Sequence, residues 1–149
     1  MTLSSMKPVD YPAAARRHFD DAQLLLEHGR AANAGQLFGF TMECGLKALL
    51  VICGVIPDET GSVPAKGKFR KHMPDLFDNI AAFGNLIPDG QMAQTYLANI
   101  PGQQHFKDWS VDHRYCREAA IPLGSLPLWQ AAATEINAML DQAKTDGVL

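Results

Sequence analysis

Apolar side chains recur at helical spacing through the first third of the chain. In the first helical segment, charged residues occupy the other faces. This pattern predicts a first helix over residues 11–29 and a second, longer helix over residues 32–53. Gly54 and Pro57 follow the second segment and are typical of a helix stop. The second segment is apolar on nearly every face, so we expect it to be the central and most buried helix.

Proline and glycine divide the rest of the chain into shorter helical patterns. Residues 57–71 lack a helical period and predict a long loop, after which Pro74 opens a third helix. A short fourth helix is predicted over residues 89–99, and a last helix over residues 125–144, with Ser125 as its N-cap. Strand patterns are absent from the sequence, so the fold class is all-α. Short connections favour an up-and-down antiparallel helical bundle of four to five helices.

The composition is that of one globular domain that includes the whole chain, residues 1–149. Apolar residues make up 47% of the sequence and charged residues 19%, a balance typical of a folded protein and not of a disordered one. The net charge of -3 argues against a general nucleic-acid coat protein, which is normally basic. A net negative charge does not exclude a site at which positive side chains are concentrated locally.

Three features predict a cytoplasmic protein that has no membrane partner. The N-terminal residues contain no apolar signal segment. The three cysteines are odd in number and form no C-x-x-C pair, as in a reduced intracellular protein with structural thiols. The apolar run over residues 37–56 has the length of a membrane span, but Glu43 and Lys47 near its centre would each cost roughly 2.5–3.5 kcal/mol in a bilayer.

Glu43 and Lys47 are the only charged residues between Ala31 and Pro57. Their i, i+4 spacing, with the acid on the N-terminal side, makes them neighbours on one face of the second helix. Two interpretations stay open. The pair is either an ion pair on the one exposed strip of this helix, or a partly buried pair that faces a cleft. In the second case, removal of one partner would leave an uncompensated charge.

The segment KGKFRKH, residues 66–72, concentrates positive charge in the long loop. Its basic side chains, with no acid among them, are Lys66, Lys68, Arg70, Lys71 and His72. A helix N-terminus beside basic residues is a good anion site, because free amides and the helix dipole both favour negative charge. The alternative is a solvated surface loop, in which His72 serves only as a cap of the third helix.

The segment WSVDHRYCRE, residues 109–118, collects hydrogen-bonding side chains in a connection without a clear helical period. Asp112 and Arg114 suit a mutual ion pair, whereas Arg114 together with Tyr115 suits a phosphate group or a base. For Trp109, anchoring on the core is favoured over stacking on a ligand.

Metal and cofactor motifs cannot be read from this sequence. His72, His105 and His113 do not have the spacing of a zinc site. There is no glycine-rich phosphate loop, nucleophile elbow or Ser-His-Asp arrangement. We therefore expect neither a bound metal nor a cofactor.

The order of these segments resembles the HEPN (higher eukaryotes and prokaryotes nucleotide-binding) domain family. The likeness rests on AGQLFGFTMECGLKALL in the second helix, on KHMPDLFDNI, and on WSVDHRY, and with the first helix it extends over most of residues 11–117. The resemblance implies a single helical-bundle domain and frequent homodimers. It also implies roles from RNA cleavage in toxin systems to the binding of nucleotides or of nucleotidyltransferase-type protein partners.

The chain departs from the ribonuclease members of that family, which carry R-x₄₋₆-H. No arginine here is followed by a histidine at that spacing, and after Arg114 those positions hold Ala119, Ala120 and Ile121. By this resemblance Arg114 and Tyr115 keep the phosphate-binding role of the motif, whereas the histidine that assists proton transfer is missing.

The sequence therefore favours a HEPN-like binding module for a nucleotide, an RNA or a partner protein, in a toxin–antitoxin or nucleotidyltransferase-associated system. The alternatives are a metal-independent ribonuclease with a rearranged site made of His72, Arg114 and Tyr115, or a purely structural partner subunit. For the binding module, we expect residues 66–72 and 109–117 to meet at one end of the bundle, beside Lys47.

Overall fold

The computed structural model describes residues 6–100 and 103–149, and within them the chain forms five α-helices and no strand. The helices are α1 (Tyr11–Glu27), α2 (Ala31–Ile52), α3 (Asp75–Ala82), α4 (Gly90–Leu97) and α5 (Leu126–Thr145). Short 3₁₀ helices connect them at Gly84–Leu86, Gln103–Phe106, Val111–Tyr115, Glu118–Ala120 and Leu123–Ser125. The all-α helical bundle is confirmed, and the predicted helix ends lie within two residues of the observed ones.

The three long helices pack side by side, with α1 antiparallel to both of the others. A three-residue connection turns α1 into α2, and Gly29 takes the left-handed conformation there (φ 73°). Arg16 pairs with Asp141 at 2.8 Å, and Gln130 donates to Gln23 at 2.9 Å, so α1 and α5 run in opposite directions. Helix α5 consequently runs in the same direction as α2, because the shorter helices return the chain between them.

Helix α2 is the central helix, as predicted, and it approaches α5 closely through glycine. A Cβ on Gly45 would lie 2.3 Å from Cγ1 of Ile136, so no other residue fits this contact without a shift of α5. Phe38, Met42 and Leu46 on α2 are completely buried. The helix is long and apolar enough to cross a membrane by length and composition, but 61% of its most apolar window is buried inside the bundle.

Ser125 differs from its predicted role. It occupies the N-cap position of α5, but its side chain makes no capping bond to the helix. Its hydroxyl donates instead to the carboxylate of Asp108. The serine therefore ties the start of α5 to the residue before Trp109, and in this way it helps to position the polar segment described below.

Candidate functional site

Glu43 and Lys47 form a buried ion pair on α2. The Lys47 Nζ lies 2.9 Å from Glu43 Oε2, and the two side chains are only 7% and 12% exposed. Of the two interpretations left open by the sequence, the exposed surface pair is wrong and the burial expected by the second is confirmed, whereas its cleft stays a prediction. Two charges at this depth are stable only while each has a partner, because the desolvation of an unpaired ion is costly.

His72 binds the second oxygen of the same carboxylate. Its Nδ1 lies 2.8 Å from Glu43 Oε1, while its side chain is 57% exposed. When the neutral ring donates Nδ1–H to Glu43, Nε2 remains as an acceptor. The alternative role of His72 as a helix cap is wrong. Pro74 occupies the N-cap position of α3 without a side-chain bond, and only the main-chain carbonyl of His72 accepts from the amide of Leu76.

The loop before His72 is fixed at several points although its basic side chains are exposed. The Arg70 guanidinium lies 3.9 Å from the Asp58 carboxylate, and the Lys68 ammonium lies 4.9 Å from the ring centroid of Phe83. The hydrogen bond from the Thr60 hydroxyl, followed by those from two main-chain amides, holds the pKa of Asp58 below its usual value. This loop therefore carries its positive charges in a defined position.

The N-terminus of α3 does not add to this positive loop in the way the sequence suggested. Its first turn contains Asp75 and Asp78, and both carboxylates compensate the positive end of the helix dipole. An anion near this loop would therefore be bound by basic side chains and not by the start of the helix.

Trp109 anchors the second polar segment on α2, which confirms its predicted place in the core. The ring is 2% exposed, and its Nε1–H donates to the Gly35 carbonyl at 2.9 Å. A Cβ on Gly39 would lie 2.0 Å from the Trp109 ring, so only glycine leaves space for the indole. The Gln36 carboxamide donates to the Val111 carbonyl at 3.1 Å and fixes the following residues.

The outer end of this segment presents a cation and an aromatic ring together. The Arg114 guanidinium carbon lies 4.8 Å from the ring centroid of Tyr115, and Tyr115 is 77% exposed. The ion pair between Asp112 and Arg114, one of the two arrangements that the sequence left open, does not form. The main chain of Asp112 instead closes the 3₁₀ helix, since its amide donates to Ser110 Oγ at 3.1 Å and its carbonyl accepts from Cys116 Sγ at 3.5 Å.

The two polar segments lie along the same stripe of α2 but at different heights. Gln36, which holds the second segment, is seven residues before Glu43, which holds His72. Seven residues are two helical turns, so the two contacts share a face and lie about 10 Å apart along the axis. No hydrogen bond or ion pair in the described part of the chain joins residues 66–72 to residues 109–117. The expected meeting of the two segments beside Lys47 therefore stays a prediction, and their anchoring contacts on α2 lie two turns apart.

Sequence reasoning missed His18, which lies between these two contacts. Its ring centroid is 5.6 Å from that of Phe40, and Phe40 in turn packs edge-on against Trp109. Burial and the nearby Arg17 lower the pKa of His18, whereas the carboxylates of Asp21 and, to a smaller extent, Glu43 act in the opposite direction. His18 lies one helical turn beyond the buried Ala15, and this spacing is the signal that would have identified it.

Two of the three cysteines, Cys44 and Cys53, fit the predicted structural role, and Cys116 does not. Burial raises the pKa of Cys44 and of Cys53 to about 11 in each case, which makes both thiols unreactive. Cys116 is exposed and follows Tyr115 directly. In residues 6–100 and 103–149, no three His, Cys, Asp or Glu side chains are grouped so that they could hold a metal ion.

Comparisons of the chain with protein-family models, with curated proteins and with solved structures give no match. The likeness to HEPN domains therefore rests on the motifs alone.

Proposed function

We propose that this protein is a HEPN-like binding module for phosphate-containing ligands, either a nucleotide or a short RNA. The observation that carries the proposal is the Arg114 guanidinium against the exposed Tyr115 ring, on a turn fixed to α2. An aromatic ring that is open to solvent can stack on a base, and a guanidinium beside it can pair with a phosphate through two hydrogen bonds.

The anchoring of this turn also supports binding. Trp109 and Val111 are bonded to α2, so Arg114 and Tyr115 are carried by a turn that is ordered before a ligand arrives. Less conformational entropy is then lost on association, which favours affinity. The net charge of -3 limits non-specific attraction of nucleic acid, so binding would depend on this local arrangement.

The basic loop supplies a second source of positive charge. Lys66, Lys68 and Lys71 are exposed, and the loop is held on α2 by the bond between His72 and Glu43. Because it lies on the same stripe of α2 as the aromatic turn, a longer ligand would reach both. A mononucleotide would use mainly Arg114 and Tyr115.

Titration of the protein with mononucleotides and with a labelled short RNA, at low and at moderate salt, tests this function. We expect Arg114→Ala to weaken binding about tenfold, as for the loss of a charged hydrogen bond of roughly 1.4 kcal/mol. The slope of log affinity against log salt should become shallower by about 0.7 for a single-stranded ligand. Arg16→Ala removes the same charge from α1, where Arg16 pairs with Asp141 on α5, and should have little effect. Absence of binding at low salt would refute the nucleic-acid function and leave protein-partner binding.

A metal-independent ribonuclease is the second candidate, and the contact between Glu43 and His72 favours it. A carboxylate that holds Nδ1 of a histidine leaves Nε2 as a proton acceptor, as in many general bases. Cleavage of labelled RNA that is lost in both His72→Ala and Arg114→Ala would establish this activity. Cleavage that persists in either variant would exclude this site as its source.

The same family likeness supports two partner proposals, namely a homodimer and a nucleotidyltransferase-type protein partner in a toxin–antitoxin system. Helix α5 supports the homodimer, since Leu128 and Ala131 are exposed on one of its faces. A nucleotidyltransferase gene beside the gene of this protein would favour the second partner. A structural subunit without a ligand would instead bind that partner and fail every nucleotide titration.

A further inference from the structure

A separate cavity of about 530 Å³ lies between α4 and α5, away from the polar segments on α2. Its volume is within the range of small-molecule sites in proteins, which are commonly concave, mostly apolar and lined by a few polar groups. Met92, Ile100 and Met139 provide the apolar part of the lining, and Tyr96, Glu135 and Asp146 provide polar groups. Methionine side chains are adaptable and pack well against ligands of varied shape.

The charged side chains that line this cavity, among the described residues, are acidic. Glu135 and Asp146 line it, and within the described residues no lysine or arginine does. The Asp146 carboxylate already accepts from the Tyr96 hydroxyl at 2.5 Å and from the Gln142 amide at 2.8 Å. Glu135 makes no hydrogen bond or ion pair in the part of the chain that the structure describes, so its carboxylate is available to a ligand.

Tyr96 connects the apolar and the acidic parts of this cavity. Its hydroxyl is fixed by Asp146, which holds the ring in one orientation at the wall. That hydrogen bond raises the pKa of Tyr96 to about 12 and lowers the pKa of Asp146, so the phenol stays protonated and the carboxylate stays charged at neutral pH. A fixed tyrosine ring beside a carboxylate is a favourable environment for an organic cation, because both attract positive charge.

We propose that this cavity binds a small amphipathic organic cation of the arylalkyl-ammonium class. In this proposal the ammonium group pairs with Glu135 on the side of the cavity that Tyr96 also lines, and the apolar body packs on Met92 and Met139. This site is independent of the proposed phosphate-binding function, since it shares no residue with the segments on α2. Its ligand also has the opposite charge.

Three probes of similar size separate charge from apolar contact: 2-phenylethylammonium, 2-phenylethanol and phenylacetate. Binding is followed by NMR of protein labelled with ¹³C at the methionine methyl groups. Met92 and Met139 report on the cavity, whereas Met42 and Met73 are buried elsewhere in the core and serve as internal references. We expect a saturable shift of the two cavity methyls with the ammonium, about fivefold weaker binding of the alcohol, and no binding of the carboxylate.

Glu135→Gln is the decisive variant, because Glu135 is exposed and its replacement leaves the fold intact. Affinity for the ammonium should fall about fivefold while affinity for the alcohol stays the same. Glu118→Gln removes an equal charge from an exposed 3₁₀ helix and should change neither affinity. The proposal is overturned if millimolar 2-phenylethylammonium leaves the cavity methyls unshifted. It is equally overturned if phenylacetate binds as well as the ammonium does, or if Glu135→Gln leaves the preference for the ammonium unchanged.

Discussion

Replacement of Glu43 by alanine should remove the partner of a buried lysine. The Lys47 Nζ is held 2.9 Å from Glu43 Oε2, and the lysine side chain is 7% exposed. In Glu43→Ala the ammonium stays inside the bundle without a counter-charge, or it must move to solvent at the expense of the packing around α2. His72 loses its only side-chain hydrogen bond in the described residues at the same time.

The two lost contacts differ in how much they contribute to the free energy of unfolding. Breaking a buried ion pair by removal of one partner typically costs 3–5 kcal/mol, because the remaining charge is uncompensated. His72 is 57% exposed, so its contact with Glu43 contributes under about 1 kcal/mol. We expect a loss of about 3 kcal/mol in the free energy of unfolding. Since Glu43 itself is 12% exposed, water reaches the site in part and keeps the value at the lower end of that range.

Urea unfolding measures this loss directly. With a slope near 2 kcal/mol per molar, about 3 kcal/mol lowers the midpoint by roughly 1.5 M. Asp141→Ala is the matched control, because it breaks the pair with Arg16 in which the side chains are 48% and 68% exposed, and it should cost under about 1 kcal/mol. A joint change of Glu43 to leucine and Lys47 to methionine should recover most of the loss. If Glu43→Ala costs no more than Asp141→Ala, the argument from burial is refuted.

Three further predictions follow from other contacts. A thiol reagent should label Cys116 rapidly in the folded protein, while Cys44 and Cys53, with pKa values of about 11, should react only after unfolding; equal rates at all three would contradict this. The folded-state pKa of Asp58 is lowered, so the ionised carboxylate stabilises the fold fully above about pH 4, and this contribution is lost as the pH falls through the folded-state pKa. Asp58→Asn should therefore flatten the acid limb of a curve of unfolding free energy against pH. Light scattering at micromolar concentration should report a two-fold homodimer, and a monomer would end that proposal.

The helices could be predicted because their signals are local. Apolar periodicity and the proline and glycine residues between segments depend only on near neighbours in sequence. The direction of α5 relative to α2 could not be predicted, since it depends on how residues 53–125 return the chain. The failed cap at Ser125 has the same cause, because the hydroxyl bonds to Asp108, which a local capping pattern does not include.

The candidate site, like the helices, could be predicted only where its signals come from residues that are close in sequence. The spacing of Glu43 and Lys47 identified them as a pair, and the aromatic character of Trp109 indicated a core anchor. Their burial could not be read from spacing, because it depends on tertiary packing. The bond from His72, which joins Glu43 from 29 residues away along the chain, could not be read from spacing either. Whether the two polar segments meet could not be read from the sequence either, because it depends on where each segment docks along α2.

The docking of Trp109 has a consequence for the order of folding. The bond from its indole to Gly35 closes a loop of 74 residues, and contacts of such long range form slowly because the chain entropy is lost before the contact is gained. The hairpin of α1 and α2 has mainly local contacts and can assemble earlier. Arg114 and Tyr115 therefore reach their positions only when the last part of the chain has closed over α2. A chain in which this closure has not yet taken place would lack the aromatic turn.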